Sequence, residues 1–281
     1  MSTLEKVPTS VRSVVHSTRG QWHGPVTRLM SPSDLGQFLR PFVFLDYFDT
    51  QGPVKSDSFN MHPHSGIATI TWVQEGSINY VDTSGEIGVL PQGGMEWMQA
   101  GGGAWHGGNI GETGRVRGFQ LWVALPPDRE LAEAESIYLS PDAIDHHGPA
   151  AVLLGHYGAA SSPIRTASPM TYLAVKLSAG ERWQFQPPDG QTVAWAAVGK
   201  GRLSAPESLD SGVLAVFDES TEAIDFHAEV DTEFVLGSAV KHPHDLVLGY
   251  YSVHTSAEAL REGEGRIQRI GKHLREAGRL A

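Results

Sequence analysis

The stretch that decides the fold reads FNMHPHSGIATITWVQEGSINYVDTSG and spans residues 59–85. Its centre is a run of β-branched and aromatic residues at 67–73, which Gly76 separates from a second run at 77–82. Short runs of this kind, divided by turn-forming residues, are typical of β-strands. Pro63, in the His-Pro-His triplet before the first run, cannot donate a backbone hydrogen bond. The triplet is therefore predicted at a strand end or a barrel mouth.

The same pattern extends in both directions along the chain. Further β-rich runs occupy residues 42–48, 95–100 and 118–125, and a second strand-rich region extends from about residue 170 to about residue 240. No amphipathic helix alternates with these runs, which argues against a βαβ fold. We therefore predict an all-β protein made of antiparallel sandwiches or barrels.

The C-terminal residues follow a different period. Thr255 and Glu258 fit a capping box, which marks the start of a helix. Four apolar residues then recur at helical spacing: Leu260, Ile267, Ile270 and Leu274. The chain is predicted to end in a short helix.

A chain of 281 residues is long enough for two domains of average size. Residues 126–168 are mixed and rich in turn-forming residues, which is typical of a connection. The predicted order is a first barrel at 1–130, an inter-domain crossing at 131–168, a second barrel at 169–245 and a helical tail at 246–281.

Composition excludes several classes of function. Cysteine is absent, so a metal ion would need histidine, carboxylate, amide or water ligands. The formal net charge is −11 and no basic stripe precedes the tail, so direct nucleic-acid binding is not expected. No apolar run approaches the roughly 18 residues that span a membrane. The first residues, MSTLEKVPTSVRS, lack the apolar segment of a signal peptide, and we expect a cytoplasmic protein.

The strongest candidate for chemistry is the histidine pair in the triplet. Residues i and i+2 of a strand point to the same face, so His62 and His64 project together. His106, in the stretch AGGGAWHGGN at 100–109, is the natural third ligand. Three imidazoles would leave open positions on a metal ion for water or substrate. From these residues alone, a purely structural role for the pair remains an open alternative.

Other histidines are predicted to be incidental. His146 and His147 are adjacent and would face different ways on a strand. The second His-Pro-His, at 242–244, lies at the end of the second barrel without evident partners. Trp105 is predicted to point away from the side of the strand that carries His106.

Four segments together resemble the pirin family of two-domain cupin proteins. They are FVFLDYF at 42–48, the stretch at 59–85, MEWMQAGGGAWH at 95–106 and GFQLWVALP at 118–126. They occur in the order and spacing of that family, and a weaker similarity extends to the C-terminal helix. The resemblance implies two cupin domains in tandem, each a jelly-roll-like β-barrel, with one metal site in the N-terminal barrel and none in the C-terminal one.

In the pirin family three histidines and one glutamate hold the metal, which is usually iron. By motif the histidines fall on His62, His64 and His106, whereas the glutamate position is Gly108 and a second acidic position is Ala68. The resemblance implies one divalent ion per chain, Fe(II) first, with nickel, zinc or manganese as alternatives. Loss of the carboxylate should weaken binding of the metal ion, so a protein without a metal is the alternative. A glutamate at position 108 is predicted to point at the metal and to raise its affinity.

The resemblance also implies two classes of function. Bacterial relatives include quercetin 2,3-dioxygenases, which act on a flavonol or another small aromatic chelating substrate. The alternatives are a non-catalytic binding or regulatory protein with a protein partner, and a degenerate pirin that retains only the fold. No catalytic residue is predicted, and whether the protein is an enzyme is left open.

Overall fold

The computed structural model of the chain describes residues 12–51, 60–83, 85–110 and 114–280. Phe59, which opens the stretch quoted above, lies outside these ranges, as do the first eleven residues, on which the prediction of no signal peptide largely rests.

The N-terminal half folds into two antiparallel sheets. In spatial order the larger sheet contains β12 (Glu135–Leu139), β9 (Met95–Gln99), β6 (Ile67–Glu75), β11 (Arg115–Ala124), β4 (Phe42–Gln51), β3 (Val26–Met30) and β2 (Gln21–His23). The smaller sheet contains β5 (His62–His64), β10 (Ala104–Ile110), β7 (Ser77–Asp82) and β8 (Ile87–Pro91). The β-rich runs in the N-terminal half of the sequence are thus strands of one barrel, as predicted.

The C-terminal half repeats the same arrangement. Its larger sheet contains β1 (Val14–Thr18), β22 (Leu214–Phe217), β19 (Val193–Lys200), β24 (Thr232–Ala239), β17 (Met170–Leu177), β14 (Ala150–Leu154) and β13 (His146–His147). Its smaller sheet contains β18 (Arg182–Phe185), β23 (Ile224–Ala228), β20 (Arg202–Ala205) and β21 (Glu207–Asp210). The fold is therefore all-β with two barrels in tandem, which confirms the predicted class.

The remaining elements are short, apart from one helix. Two hairpins are formed by β15 (His156–Tyr157) with β16 (Ala160–Ser161) and by β25 (Val247–Leu248) with β26 (Val253–His254). Helix α1 (Gly36–Leu39) and a 3-10 turn (Pro141–Ala143) lie in connections, and α2 (Ala257–Glu276) follows β26. In the part of the chain that the structure covers, none of the helices has both the length and the apolar character needed to cross a membrane.

The strands do not follow the predicted domain boundaries at two places. Strand β1 lies within the predicted first barrel, but it pairs with β22 in the C-terminal sheet, where Val14 is opposite Phe217. The predicted crossing also contains strands: β12 pairs with β9 of the N-terminal barrel, and β14 pairs with β17 of the C-terminal barrel. Each barrel therefore contains at least one strand that lies outside its predicted range of residues.

The two larger sheets pack against each other. One hydrophobic cluster contains Leu121 and Phe119 of β11 together with Tyr172 of β17 and Trp195 of β19. The ring of Phe42 meets the ring of Trp195 edge to face, with 5.5 Å between centroids. Side chains alternate along a strand, so the opposite faces of these sheets line the two barrel interiors.

The two barrel interiors differ in polarity. In the C-terminal barrel, buried aromatic and aliphatic side chains such as Phe226 and Phe234 fill the space between its sheets. In the N-terminal barrel, the inward positions of the larger sheet include Thr69, Thr71 and Asp46, all of them buried. Buried polar groups need partners, and this interior is therefore where a binding site can form.

Helix α2 begins one residue later than predicted. Ser256 is the N-cap, and its Oγ accepts a hydrogen bond from the backbone N–H of Ala259 at 3.1 Å. The hydroxyl of Thr255 is engaged elsewhere, because it donates to Glu130 Oε1 at 2.6 Å. The predicted Thr255–Glu258 capping box is therefore wrong, while the helix itself is confirmed.

The contact between the larger sheets generates a prediction about stability. Leu121 is fully buried in the shared cluster. Leu121→Ala should lower the free energy of unfolding by about 2–5 kcal/mol, because it leaves a cavity between the sheets. Urea unfolding followed by tryptophan fluorescence measures this change. The control is Val89→Ala on β8, where the side chain is 59% exposed, and its effect should stay within about 0.5 kcal/mol. Equal effects of the two substitutions would contradict the assignment of this core.

Candidate metal centre

Two neighbouring strands of the smaller N-terminal sheet bring the three histidines together. Strand β5 carries His62 and His64, and β10 carries His106. In the antiparallel register His106 lies opposite His62, and Ala104 lies opposite His64. One ring nitrogen from each histidine lies within 4.8 Å of the others. Within the described ranges this is the only group of three or more histidine or carboxylate side chains with such a spacing.

The Nδ1 atom of each histidine is already engaged. His62 Nδ1 donates to the carbonyl oxygen of Asn60 at 2.7 Å, and His64 Nδ1 donates to that of Tyr251 at 3.1 Å. A carbonyl oxygen can only accept, so in these two rings the proton is on Nδ1. His106 Nδ1 lies 2.9 Å from Glu96 Oε1. Hydrogen bonds of this type hold metal-binding histidines with the Nε2 lone pair available.

The Nε2 atoms of His64 and His106 are buried and have no hydrogen-bond partner among the described residues. A buried polar atom without a partner is costly, and it calls for an explanation such as a bound ion or water. Imidazole nitrogens that lie close together, two of them buried and without a partner, are suited to a divalent metal ion. The residues present therefore fit the metal that the sequence predicts at this place.

Burial controls the protonation of the pair on β5. Burial, with a smaller contribution from the nearby His106, lowers the pKa of His62 from 6.5 to about 4. Burial likewise holds the pKa of His64 well below its usual value, with His62 and His106 as secondary causes. Both rings are neutral at neutral pH. Their lone pairs are available to a ligand without the prior loss of a proton.

Glu96 is a member of the site that the sequence analysis missed. It lies on β9, is buried, and accepts hydrogen bonds from His106 and from Thr71 Oγ1, the latter at 2.8 Å. Burial by itself raises the pKa of Glu96, but the charge and hydrogen bond of His106 and the hydrogen bond of Thr71 outweigh it, and the pKa is lowered. The carboxylate is ionised. The available signal was a charged residue inside the otherwise apolar run MEWM.

Gly108 cannot be replaced by glutamate as simply as predicted. A Cβ atom at this position would collide with the backbone carbonyl oxygen of Asn79 on β7. The expectation that a glutamate here would point at the metal is therefore wrong for this backbone, because β7 occupies the space. Ala68, the second position where the family has an acidic residue, packs in the cluster between the two barrels and not beside the histidines.

A cavity of about 530 Å³ opens beside the histidines. One wall is aromatic: the rings of Phe44 and Trp122 are stacked with 4.0 Å between centroids, and the His64 ring lies 4.7 Å from that of Trp122. Arg28 lies over the Phe44 ring at 4.2 Å and forms a salt bridge with Asp46 at 2.9 Å. The cavity can hold a small, flat, largely apolar molecule next to the histidine cluster.

The other predicted positions are accounted for as follows. The indole of Trp105 turns away from the cluster and donates to the carbonyl oxygen of Ile267 in α2, as the alternation predicts. His146 and His147 are exposed on β13. In the second His-Pro-His triplet His242 is buried while His244 is exposed. Tyr251, which no sequence signal pointed to, lines the cavity and contacts two of the histidine rings.

The lowered pKa values generate a prediction for the metal-free protein. The free energy of unfolding should fall as the pH drops from about 6.5 to about 4, because the unfolded chain takes up protons at His62 and His64 while the folded chain does not. Urea unfolding with a chelator present measures this. His62→Gln should reduce the loss, whereas the exposed control His146→Gln should keep it. A pH-independent stability over this range would contradict the burial of neutral histidines.

The family profile of pirin matches residues 25–123. Over 225 residues the chain is 30% identical to a pirin-like protein of Caulobacter vibrioides, a match that covers 75% of this chain and 79% of that protein. It is 28% identical over 260 residues to a Pseudomonas aeruginosa protein provisionally named a quercetin 2,3-dioxygenase, covering 85% of this chain and 90% of the other.

Solved structures share the fold. A quercetin 2,3-dioxygenase from Acinetobacter baumannii superposes with a TM-score of 0.81 at 23% identity, covering 92% of this chain and 98% of that one. The bacterial pirin YhhW of Escherichia coli in complex with nickel(II) superposes with a TM-score of 0.60 at 21% identity, covering 82% and 96%. With the sequence matches, the two barrels and the placement of the three histidines, these similarities lead to one conclusion: the chain belongs to the pirin family.

Proposed function

We propose that the chain binds one divalent metal ion through the Nε2 atoms of His62, His64 and His106, and that it oxidises a small aromatic chelating compound of the flavonol type with dioxygen. The observation that carries the proposal is the set of three histidines whose Nδ1 atoms are engaged, two of which keep a buried Nε2 atom without a partner.

Fe(II) is the metal we expect, with nickel, zinc and manganese as alternatives. Imidazole nitrogen suits iron, nickel and zinc alike, so the ligands alone do not select one of them. The nickel(II) complex of the Escherichia coli pirin is consistent with a divalent ion in this fold. Iron is preferred here because the proposed reaction with dioxygen favours a redox-active ion, and because it is the metal that membership in the family implies.

Glu96 provides negative charge that the glycine at position 108 does not. Its carboxylate lies one hydrogen bond away from the ion site, through the ring of His106. A carboxylate in this place makes the imidazole a stronger ligand and fixes its orientation. We therefore propose that the site keeps its charge balance through a carboxylate behind a histidine, where relatives have a glutamate two residues after it.

The cavity supports the substrate class. A volume of about 530 Å³ lies in the range of small-molecule sites. Its aromatic wall, formed by Phe44 and Trp122, and the apolar side chains Ile78 and Leu90 match a planar ring system. A relative that is 28% identical over most of both chains is provisionally named a quercetin 2,3-dioxygenase, which points to the same class.

When bound, the metal would act as a Lewis acid that lowers the pKa of a coordinated substrate hydroxyl and makes the ring electron-rich. The chain's own residues have three tasks. The backbone carbonyl oxygens of Asn60 and Tyr251 accept hydrogen bonds from Nδ1 of His62 and His64, and so fix the tautomers of these two rings. Glu96 holds the Nδ1 proton of His106. The apolar wall excludes water, which strengthens every electrostatic interaction inside the cavity.

The functional test is oxygen consumption with quercetin. Protein purified without a nickel column should contain close to one metal ion per chain and should consume oxygen when the flavonol is added. His62→Ala should lose both the metal and the activity. A wild-type protein that retains the ion but consumes no oxygen with any flavonol would reject the enzyme proposal and favour the binding or regulatory role. A protein without metal at any stage of purification would favour the degenerate pirin.

The role of Glu96 gives a separate prediction. Glu96→Gln keeps the shape of the side chain but removes its charge. It should lower the affinity for Fe(II) or Ni(II) by about 10- to 100-fold, which is the usual effect of changing the group behind a metal-binding histidine. Isothermal titration calorimetry measures the affinity.

The matched control for this prediction is Glu75→Gln at the end of β6, where the carboxylate pairs with Arg117 outside the cavity. It should leave the affinity unchanged. Equal affinities of wild type and Glu96→Gln would show that the charge of Glu96 does not act on the ion.

A further inference from the structure

A second cluster of buried polar side chains lies beside the histidines and has no part in the proposed chemistry. His254 Nδ1 donates to Glu130 Oε2 at 3.0 Å, and His254 Nε2 lies 3.0 Å from Ser65 Oγ. Ser65 Oγ in turn lies 2.8 Å from Ser252 Oγ. None of the four residues is more than 3% exposed.

Glutamate, histidine and serine in this order resemble a hydrolytic triad, but the burial argues against that role. Ser65 is 0% exposed and His254 is 1% exposed. Neither residue lines the cavity at the histidines or the adjoining groove near Tyr250. A nucleophile must reach its substrate, so the network is better understood as a structural connection between the segments that it joins.

One of those segments is the strand that carries two of the histidines. Ser65 directly follows His64, and it forms an isolated parallel bridge with Ser252. The backbone N–H of Val253 donates to the carbonyl oxygen of Ser65 at 3.2 Å. One residue before this bridge, the carbonyl oxygen of Tyr251 accepts the hydrogen bond from His64 Nδ1. The segment 251–255 therefore sets the orientation of one proposed ligand directly.

Helix α2 extends the connection to both ligand strands. Gly263 packs on the buried network so closely that an added Cβ would lie 2.5 Å from His254 Nε2 and 2.6 Å from Ser65 Oγ. Further along the helix, the indole of Trp105 donates to Ile267 at 2.9 Å, and an added Cβ on Gly271 would lie 2.5 Å from that indole. Trp105 is the residue before His106. The helix is thus in contact with β5 and with β10.

We propose that residues 251–276 are an outer part of the metal site, and that metal binding and docking of this segment stabilise each other. The inference rests on the proposed metal site at the three histidines. The Glu130–His254–Ser65–Ser252 network and the two close-packed glycines hold β5 and β10 in the geometry that brings the ring nitrogens together. Coupling of this kind is reciprocal, so an ion that favours the docked segment must also protect it from opening.

The test compares two glycine substitutions in the same helix. Gly263→Ala should displace α2 from Ser65 and His254 and should lower the affinity for Ni(II), titrated as the metal alone, by about 10-fold or more. Gly265→Ala is the matched control, because its Cβ would meet only Arg269 Nη1, at 3.5 Å. The control should bind Ni(II) like the wild type. Ser65→Ala, which removes only one hydroxyl, serves as a second variant with the same expected direction if Gly263→Ala fails to fold.

Hydrogen exchange provides the reciprocal measurement. Adding Ni(II) to the full-length wild-type protein should slow hydrogen exchange of the backbone amides in α2. The same addition should slow this exchange less in Gly263→Ala, or in Ser65→Ala if Gly263→Ala does not fold. Tight Ni(II) binding that is unaffected by Gly263→Ala and Ser65→Ala, or that leaves α2 exchange unchanged, would overturn this inference while the proposed metal site stands. A wild-type protein that binds no Ni(II), Fe(II) or other divalent ion would overturn both.

Discussion

Much of this structure depends on one constraint, the alternation of side chains along the strands of the larger N-terminal sheet. On β6, Ala68, Ile70 and Trp72 enter the apolar cluster between the barrels, while Thr69 and Thr71 point the other way. Because the first set supplies the packing that stabilises the two-barrel molecule, the second set is free to be polar. The barrel can then hold a cavity with buried histidines and a carboxylate, at a cost that the shared core offsets.

The polar interior is ordered by hydrogen bonds that reach it from distant parts of the chain. The three histidines are oriented by acceptors on a loop, on β9 and on the segment before β26. The wall of the N-terminal barrel that faces the C-terminal barrel is fixed by apolar packing. The wall near α2 is fixed by the hydrogen bonds of Glu130 and its neighbours. The positions of the three histidines therefore depend on apolar packing on one side and on hydrogen bonds on the other.

The amino-acid sequence was sufficient to predict the features that depend on short-range periodicity, namely the strands and the face to which their side chains point. The period of two placed His62 and His64 on one face, and the runs of apolar residues located most strands to within a few residues. It was insufficient where the partner comes from elsewhere in the chain. Glu96 on β9 meets His106 on β10 only because the two sheets of the barrel face each other, and Tyr251 meets His64 across 187 positions. The helix cap was misplaced for a similar reason, since Glu130 engages Thr255 and leaves the capping to Ser256.

The pairing of β1 with β22 has a consequence for the order in which the molecule can be assembled. During synthesis β22 emerges only after about 200 residues have been made beyond β1, its partner. Until then the N-terminal strand has no sheet to join, and a chain lacking it would leave β22 as an open edge that can pair with other molecules. The edge of the C-terminal sheet is thus completed by a strand that was made long before the rest of that sheet.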